Sequence, residues 1–270
     1  LIVTPPTTQY RLGLRALQAG KHLLLDKPLA FTTAEVDDLI RTANAGDLIL
    51  STNLVLRVHP VHRYIRTLVR EKTFGDLLQI SSTALLGKYP DDHWYWDELR
   101  SGGFFLNTFS HFLDLFDFVS GEVPVEQVTN GNPLNGYQLF GVYSSGVQFS
   151  LSASLQVDGL AEHVMTHYIF ERAVISTTGW VPETMKIVDV ESGNHFWTDA
   201  NRDSAYRQAL AAIQADFQRQ IRYGVRSVYE LTPLTLRNSV HIPKLFENAL
   251  PSVESEADDV TGTFSENGLA

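Results

Sequence analysis

Residues 17–30 read LQAGKHLLLDKPLA, and the order of residue types in this stretch decides the fold. Leu17 completes an apolar stripe with Tyr10 and Leu14 at i, i+4 and i+7, so a helix is expected to run up to Gly20, which ends it. His22 to Leu25 is then a short continuous apolar run, the pattern of a strand buried on both faces, and Asp26-Lys27-Pro28 stops it. The same grammar extends outward. Upstream, Leu1-Ile2-Val3 is expected to be a buried strand halted by Thr4-Pro5-Pro6. Downstream, Thr33 is the N-cap candidate for a helix with Val36, Leu39, Ile40 and Ala43 on one face, Gly46 closes it, and Leu48 to Leu50 gives a third strand. Strands alternating with helices in this way spell a parallel sheet with crossover helices.

From Thr52 the pattern changes. A helix after His59-Pro60 leads to a strand near Leu77 to Leu86, an aromatic-rich loop, and a helix from Phe104 to Val119. The clearest strand is Val147 to Val157, where large apolar residues alternate with Gln and Ser, so one face is core and the other polar. Further strands are expected at Val123 to Val128, Leu139 to Tyr143, Val164 to Phe170, Ala173 to Thr177 and Lys186 to Val190. Helices follow along Tyr206, Leu210, Ile213, Phe217 and Ile221, and from Leu234 to Leu250. The fold class is therefore α/β plus α+β: a short parallel piece, then a larger domain on a mostly antiparallel sheet flanked by helices. Ser144-Ser145-Gly146 fits a hairpin turn between two of the strands.

Length and composition bound the function. At about 150 residues per domain, 270 residues make one large or two modest domains. Lys and Arg number 21 against 31 Asp and Glu, a net charge of −10, the wrong sign for a nucleic-acid partner. Half of that charge comes from Glu254, Glu256, Asp258, Asp259 and Glu266, beyond Pro251, where an acidic disordered tail is expected. The absence of cysteine removes disulfides, thiolate metal sites and a cysteine nucleophile. No apolar run approaches the roughly 20 residues of a membrane helix, and no basic-then-apolar leader is present, so a cytoplasmic protein without a membrane partner is expected. No metal is expected: Asp91-Asp92-His93 lacks a spaced set of further ligands.

Two groups of residues carry candidate chemistry. Thr4-Pro5-Pro6 and Asp26-Lys27-Pro28 end successive strands, and ligands of open α/β sheets bind outside those ends. A lysine partly desolvated there has a lowered pKa and acid–base capacity, although Asp-Lys-Pro also serves as a plain strand-ending turn. Asn107, His111 and Asp114 fall at i, i+4 and i+7 within an otherwise apolar helix. A histidine in that stripe is either a proton carrier facing a cleft or a core histidine held by a local acceptor. Trp94-Tyr95-Trp96 could stack a sugar ring or plug the core.

The stretches TPP (4–6), LQAGKHLLLDKPLA (17–30), NLVLRVHP (53–60) and WDELRSGGFFLNTFSHFLDL (96–115) occur in the order and approximate spacing of the Gfo/Idh/MocA oxidoreductases, and the chain resembles that family from Leu1 to about Leu250. The family writes the second stretch AGKHVxxEKP. The resemblance implies a Rossmann-type parallel sheet, of which residues 1–51 are the C-terminal part. It further implies a substrate-binding and oligomerisation domain over 52–250, with 251–270 as the tail. It implies NAD or NADP as cofactor, a sugar or polyol as substrate, and hydride transfer at a hydroxyl-bearing carbon. Lys27 would reach both nicotinamide and substrate, and His111, with Asn107 beside it, would move the proton. Thr4, Pro5, Pro6, Asp26 and Lys27 would border the cofactor, while Arg57, Lys88, Trp96 and Asp114 would edge the substrate cleft.

This chain departs from the family pattern at three places. Asn107 stands where the family has Asp, Gln9 stands where it has the histidine after TP, and no GxGxxG occurs in the 270 residues. The expectation is a sequence that starts inside a domain, as a piece of a longer dehydrogenase. The alternative is a catalytically degenerate relative that acts as a sugar-sensing, regulatory or oligomer-forming protein. The uncharged Gln/Ser face of the long strand suits packing against an identical sheet, so a homodimer or larger homo-oligomer is expected.

Overall fold

The structure is a computed structural model that describes residues 1–101, 106, 109–132, 136–157, 162–198 and 202–229. Its first unit is small and parallel. Helix α1 (Pro6–Gln18) starts on a proline and leads to strand β1 (Leu23–Leu25); α2 (Thr33–Ala45) leads to β2 (Leu50–Thr52). The two strands pair in parallel with Leu23 opposite Leu50, and Ile2 adds a single parallel bridge to Leu25 on the other side. Leu1 to Val3 is thus not the buried strand expected: Leu1 and Val3 point into solvent, and only Ile2 pairs.

Local chemistry explains the other shifts. Thr32, not Thr33, caps α2, because its hydroxyl accepts from the Glu35 amide while the Glu35 carboxylate accepts from the Thr32 amide. The third strand begins at Leu50 because the Leu48 amide is still bonded to the Ala43 carbonyl, closing the helix end. On α1 the buried stripe is Gln9, Gly13 and Leu17, with Tyr10 and Leu14 half-buried. Gly13 sets that rotation: a Cβ there would lie 3.1 Å from Leu23, so the glycine is the point where helix and sheet approach closely.

Beyond Thr52 a turn of 3-10 helix (Val55–Val58) enters α3 (Pro60–Arg70), which is followed by β3 (Leu77–Gly87). A second 3-10 turn (Trp94–Trp96) and the short α4 (Glu98–Ser101) precede α5 (Ser110–Ser120). Then come β4 (Pro124–Asn132), β5 (Gly136–Tyr143), β6 (Gln148–Val157), β7 (Glu162–Phe170), β8 (Ala173–Thr178), β9 (Thr184–Asp189) and β10 (Gly193–Thr198), and finally α6 (Arg202–Tyr223). The eight long strands form one sheet in the order β10-β9-β8-β7-β3-β6-β5-β4, antiparallel throughout except for the central β3–β6 pair. The fold is a small parallel sheet beside a larger mixed sheet with helices.

One face of the large sheet is the core. Ile80, Leu139, Leu151, Tyr168 and Ile175 share one buried core with α5, in which every residue from Ser110 to Val119 is buried. A smaller cluster unites Leu17, Leu23, Leu25, Val36, Leu39 and Leu50. Leu24, on the opposite side of β1, joins the large core and stitches the two units together. The Ser144–Gly146 turn closes the β5–β6 hairpin, with the Gly146 amide on the Tyr143 carbonyl.

Two elements differ from the sequence reading. β10 was not expected; Gly193 to Phe196 are all exposed, so an edge strand shows no apolar alternation. On α6 the buried stripe is Ala209, Ile213, Asp216 and Gln220, while Tyr206 and Ile221 are exposed. Asp216 causes this rotation: its carboxylate accepts from Arg219, Gln220, the Ser227 hydroxyl and the Val228 amide. The helix expected over 234–250 and the tail after Pro251 lie outside the described residues. Among the described residues no helix is long and apolar enough to cross a membrane, and no cluster of three or more acids or histidines could hold a metal.

Candidate active site

A cleft of about 660 Å3 opens where the ends of β1 and β2 face α5, the Trp94 turn, the β8–β9 turn and α6. Lys27 and His111 both line it, with Asp26, Asn53, Tyr89, Trp94, Trp180 and Tyr206 among the other walls. A second cavity of about 370 Å3, bounded by Val3, Thr4, Pro5, Pro6 and Gln9, shares Asp26, Lys27 and Trp94 with the first. Lys27 therefore stands at the junction of two adjoining spaces.

Each side chain is placed by a short piece of sequence physics. The three leucines of β1 are fully buried, which fixes the strand end, and the Asp26 amide donates to the Ile2 carbonyl at 3.0 Å. The next peptide, Lys27–Pro28, is cis, and Leu29 and Ala30 return at once to the small core. Asn53, just past β2, donates its side-chain amide to Asp26 at 3.3 Å and so ties the two strand ends. His111 sits in the first turn of α5, where the Trp180 ring meets it edge-on at 4.8 Å. Trp180 arrives from the β8–β9 turn through Gly179, whose φ of +90° and 2.6 Å clearance to the Val181 carbonyl leave no room for a side chain.

Burial sets the protonation states. Desolvation pulls the Lys27 ammonium down to about 8, with Asp26 opposing the shift. His111 is pushed well below its ordinary value, first by desolvation and then by the positive charge of Lys27. At pH 7 the cleft thus holds a neutral imidazole beside an ammonium. The His111 Nδ1 and Asn53 Oδ1 atoms, and Gln9 Oε1 in the adjoining cavity, are buried without a hydrogen-bond partner among the described residues. All three residues line one of the two cavities, which puts hydrogen-bonding side chains with unused capacity in their walls. The smaller cavity, with an orphaned amide oxygen and walls of Pro5, Pro6 and Trp94, fits the polar and flat parts of a nicotinamide.

Four residues expected at the cleft are elsewhere. Arg57 and Asp114 are both buried and bind each other through two nitrogens at 2.6 to 2.8 Å, with the Arg57 guanidinium also over the Phe118 ring. They join the 3-10 turn to α5 inside the core. Lys88 is at the surface, paired with Asp91 at 2.7 Å. Trp96 packs against the core and donates its indole N–H to the Pro90 carbonyl. Asn107 lies outside the described residues. The reading missed Tyr89 and His93, whose rings stack at 4.6 Å, together with Trp180, Tyr206, Arg207 and Glu162. These come from one loop, one turn, the start of β7 and one helix, far apart in sequence; Asn53 was also missed, although it stands in the quoted NLVLRVHP stretch.

Comparison with known proteins adds to this geometry. Residues 1–54 match the oxidoreductase family with an NAD-binding Rossmann fold, and residues 62–161 match the GFO/IDH/MocA C-terminal domain. A trans-1,2-dihydrobenzene-1,2-diol dehydrogenase of Xenopus tropicalis is 31% identical over 172 residues, covering 62% of this chain and 49% of that protein. A UDP-N-acetylglucosamine 3-dehydrogenase of Acidithiobacillus ferrooxidans is 42% identical over 65 residues, 24% of this chain and 21% of that protein. The chain spans half or less of the length of these curated relatives. An inositol dehydrogenase homolog of Azotobacter vinelandii, solved with NADH and myo-inositol, has the same fold with a TM-score of 0.72 at 16% identity, over 92% of this chain and 73% of that one. With both family domains matched in sequence order and the fold shared, the chain belongs to the Gfo/Idh/MocA oxidoreductases.

Proposed function

We propose that this chain carries the substrate side, and the nicotinamide end of the cofactor site, of an NAD- or NADP-dependent oxidoreductase acting on a sugar, polyol or related hydroxy compound. The observation that carries the reading is the position of Lys27, shared by two adjoining cavities, one of which His111 also lines. The diol and nucleotide-sugar substrates in the names of the two dehydrogenase relatives support the same class.

Thr4, Pro5, Pro6, Gln9, Asp26 and Lys27 would hold the nicotinamide end. A dinucleotide pyrophosphate rests on a glycine-rich turn at a helix N-terminus, and this sequence has no such pattern, so these residues are assigned that end alone. When bound, the nicotinamide supplies or accepts the hydride exchanged with the substrate carbon. In the oxidising direction the neutral His111 imidazole takes the proton of the carbinol hydroxyl. The Lys27 ammonium donates to the same oxygen and offsets the negative charge that builds there. The two roles support each other: the imidazolium that Lys27 alone would disfavour forms next to an oxygen gaining negative charge. The Tyr89, His93, Trp94 and Tyr95 rings offer flat walls to the C–H face of a sugar ring. The protein would work in the cytoplasm as a homo-oligomer assembled through the open face of its large sheet.

The test uses the intact enzyme. Fluorescence titration with NADH and NADPH is expected to saturate, and a panel of polyols and aldoses should identify a turned-over substrate. Lys27→Ala and His111→Ala are each expected to lower turnover at least about tenfold, as loss of a proton-transfer or charge-stabilising group does. Unchanged rates in both variants would refute these roles. Absence of saturable cofactor binding would favour a sugar-binding, non-catalytic relative.

A further inference from the structure

A groove of about 310 Å3 runs along α3 and shares no lining residue with the cleft. α3 contributes Arg63, Arg66 and Arg70, while Phe118 from α5 and Tyr229 close the sides. The arginines fall at i, i+3 and i+7, one helical stripe, with the outer two about 10 Å apart along the axis. The Arg63 guanidinium lies over the Tyr229 ring at 5.4 Å and that of Arg66 over Phe118 at 4.3 Å. Stacking fixes the planes and leaves the N–H edges as donors. Arg66 gives one edge to the Phe118 carbonyl. Among the described residues no carboxylate pairs with Arg63 or Arg70. A line of like charges beside aromatic walls, on a chain of net charge −10, is a seat for a linear anion.

We propose that this groove binds the acidic segment of the chain itself, Glu254 to Asp258, in an intramolecular contact. Glu254, Glu256 and Asp258 stand at i, i+2 and i+4, which in an extended chain puts three carboxylates on one side over about 13 Å. That length matches the arginine stripe, whereas one small anion reaches only part of it. Beyond Pro251 there is no lysine or arginine to compete. Tyr229, the last described residue, lines the groove, so residues 230–253 tether the acids to it. Covalent attachment makes the contact intramolecular, so individually weak ion pairs can act together.

These 270 residues contain no cysteine, so Ser255→Cys gives the chain a single fluorophore on the side of the segment opposite the three acids. Its anisotropy is expected to fall about twofold between low salt and about 1 M NaCl, where the Debye length is about 3 Å. Arg63→Glu with Arg70→Glu should produce the same low value at low salt. Adding Glu254→Lys, Glu256→Lys and Asp258→Lys to that variant should restore the high value. Both arginines are exposed, and a thermal melt checks that each variant stays folded. Anisotropy insensitive to salt, or unchanged by the arginine reversals, would overturn the proposal. So would a result in which the reversals abolish binding of inorganic pyrophosphate yet leave the label unaffected, since the groove would then be a small-anion site.

Discussion

Lys27 illustrates how one residue can be costly to the fold and useful to the chemistry. Its ammonium is held near 8, against 10.5 when solvated, because burial outweighs the attraction of Asp26. Below pH 8 both folded and unfolded chains carry the proton, and the folded state bears the full desolvation penalty. Between about pH 8 and 10.5 the folded state releases its proton while the unfolded state keeps it, so stability from this group rises with pH across that window. Lys27→Met is therefore expected to raise Tm below pH 8 and to lose that advantage as pH approaches 10.5, while abolishing turnover. Thermal melts at pH 7 and pH 10 read the difference; an equal effect at both would show that Lys27 is not desolvated. Lys27 was legible in the sequence because the charged pair Asp26-Lys27 directly after three leucines has to emerge at the strand end. His111 was legible only as a choice between cleft and core, since its spacing within an apolar helix fits both.

At the scale of elements, residue type and site proved separable. Arg57 and Asp114 have the side chains of a substrate clamp, yet they join the 3-10 turn to α5 as a closed, buried pair. Burial pushes the Asp114 carboxyl up and Arg57 opposes it, so the carboxylate depends on its partner. Arg57→Met leaves that carboxylate buried and unpaired, and is expected to cost about 3–5 kcal/mol in urea unfolding at pH 7. Adding Asp114→Leu should recover most of the loss, because an apolar pair of similar volume avoids both desolvation penalties. Failure of the second change to recover stability would assign Asp114 another partner. Sequence cannot separate a clamp from a rivet, because the pairing joins positions 57 residues apart in the chain. The same limit applies to Trp94 and Trp96: only the phase of a 3-10 turn decides that the first faces the cleft and the second reaches Pro90.

For the whole molecule, the period-two alternation of β6 made the sheet and its two faces readable, and the register now shows what the outer face presents. Phe140, Ser150, Ser81, His167, Ser176 and Lys186 stand opposite one another in a single row across six strands. Its middle carries no acid, lysine or arginine and is internally bonded, with His167 Nδ1 2.8 Å from the Ser176 hydroxyl. The flanks carry open apolar side chains, with Val128, Phe140 and Phe196 61%, 55% and 72% exposed, and Lys186 lies over the Phe196 ring at one edge. A second copy laid on this face would cover those apolar side chains without burying an acid, lysine or arginine at the centre, which is the physical basis for the proposed homo-oligomer. The neighbouring residues Ile80 and Leu151 point the other way, into the core, so substitutions on the outer row leave the cleft walls untouched. Ser81→Arg together with Ser150→Arg would bring four guanidinium groups into a two-fold contact. Analytical ultracentrifugation is expected to show a dimer or larger for the parent and a monomer for the double variant, with Tm and cofactor binding retained. A parent that sediments as a monomer, or a variant that still assembles, would place the interface elsewhere.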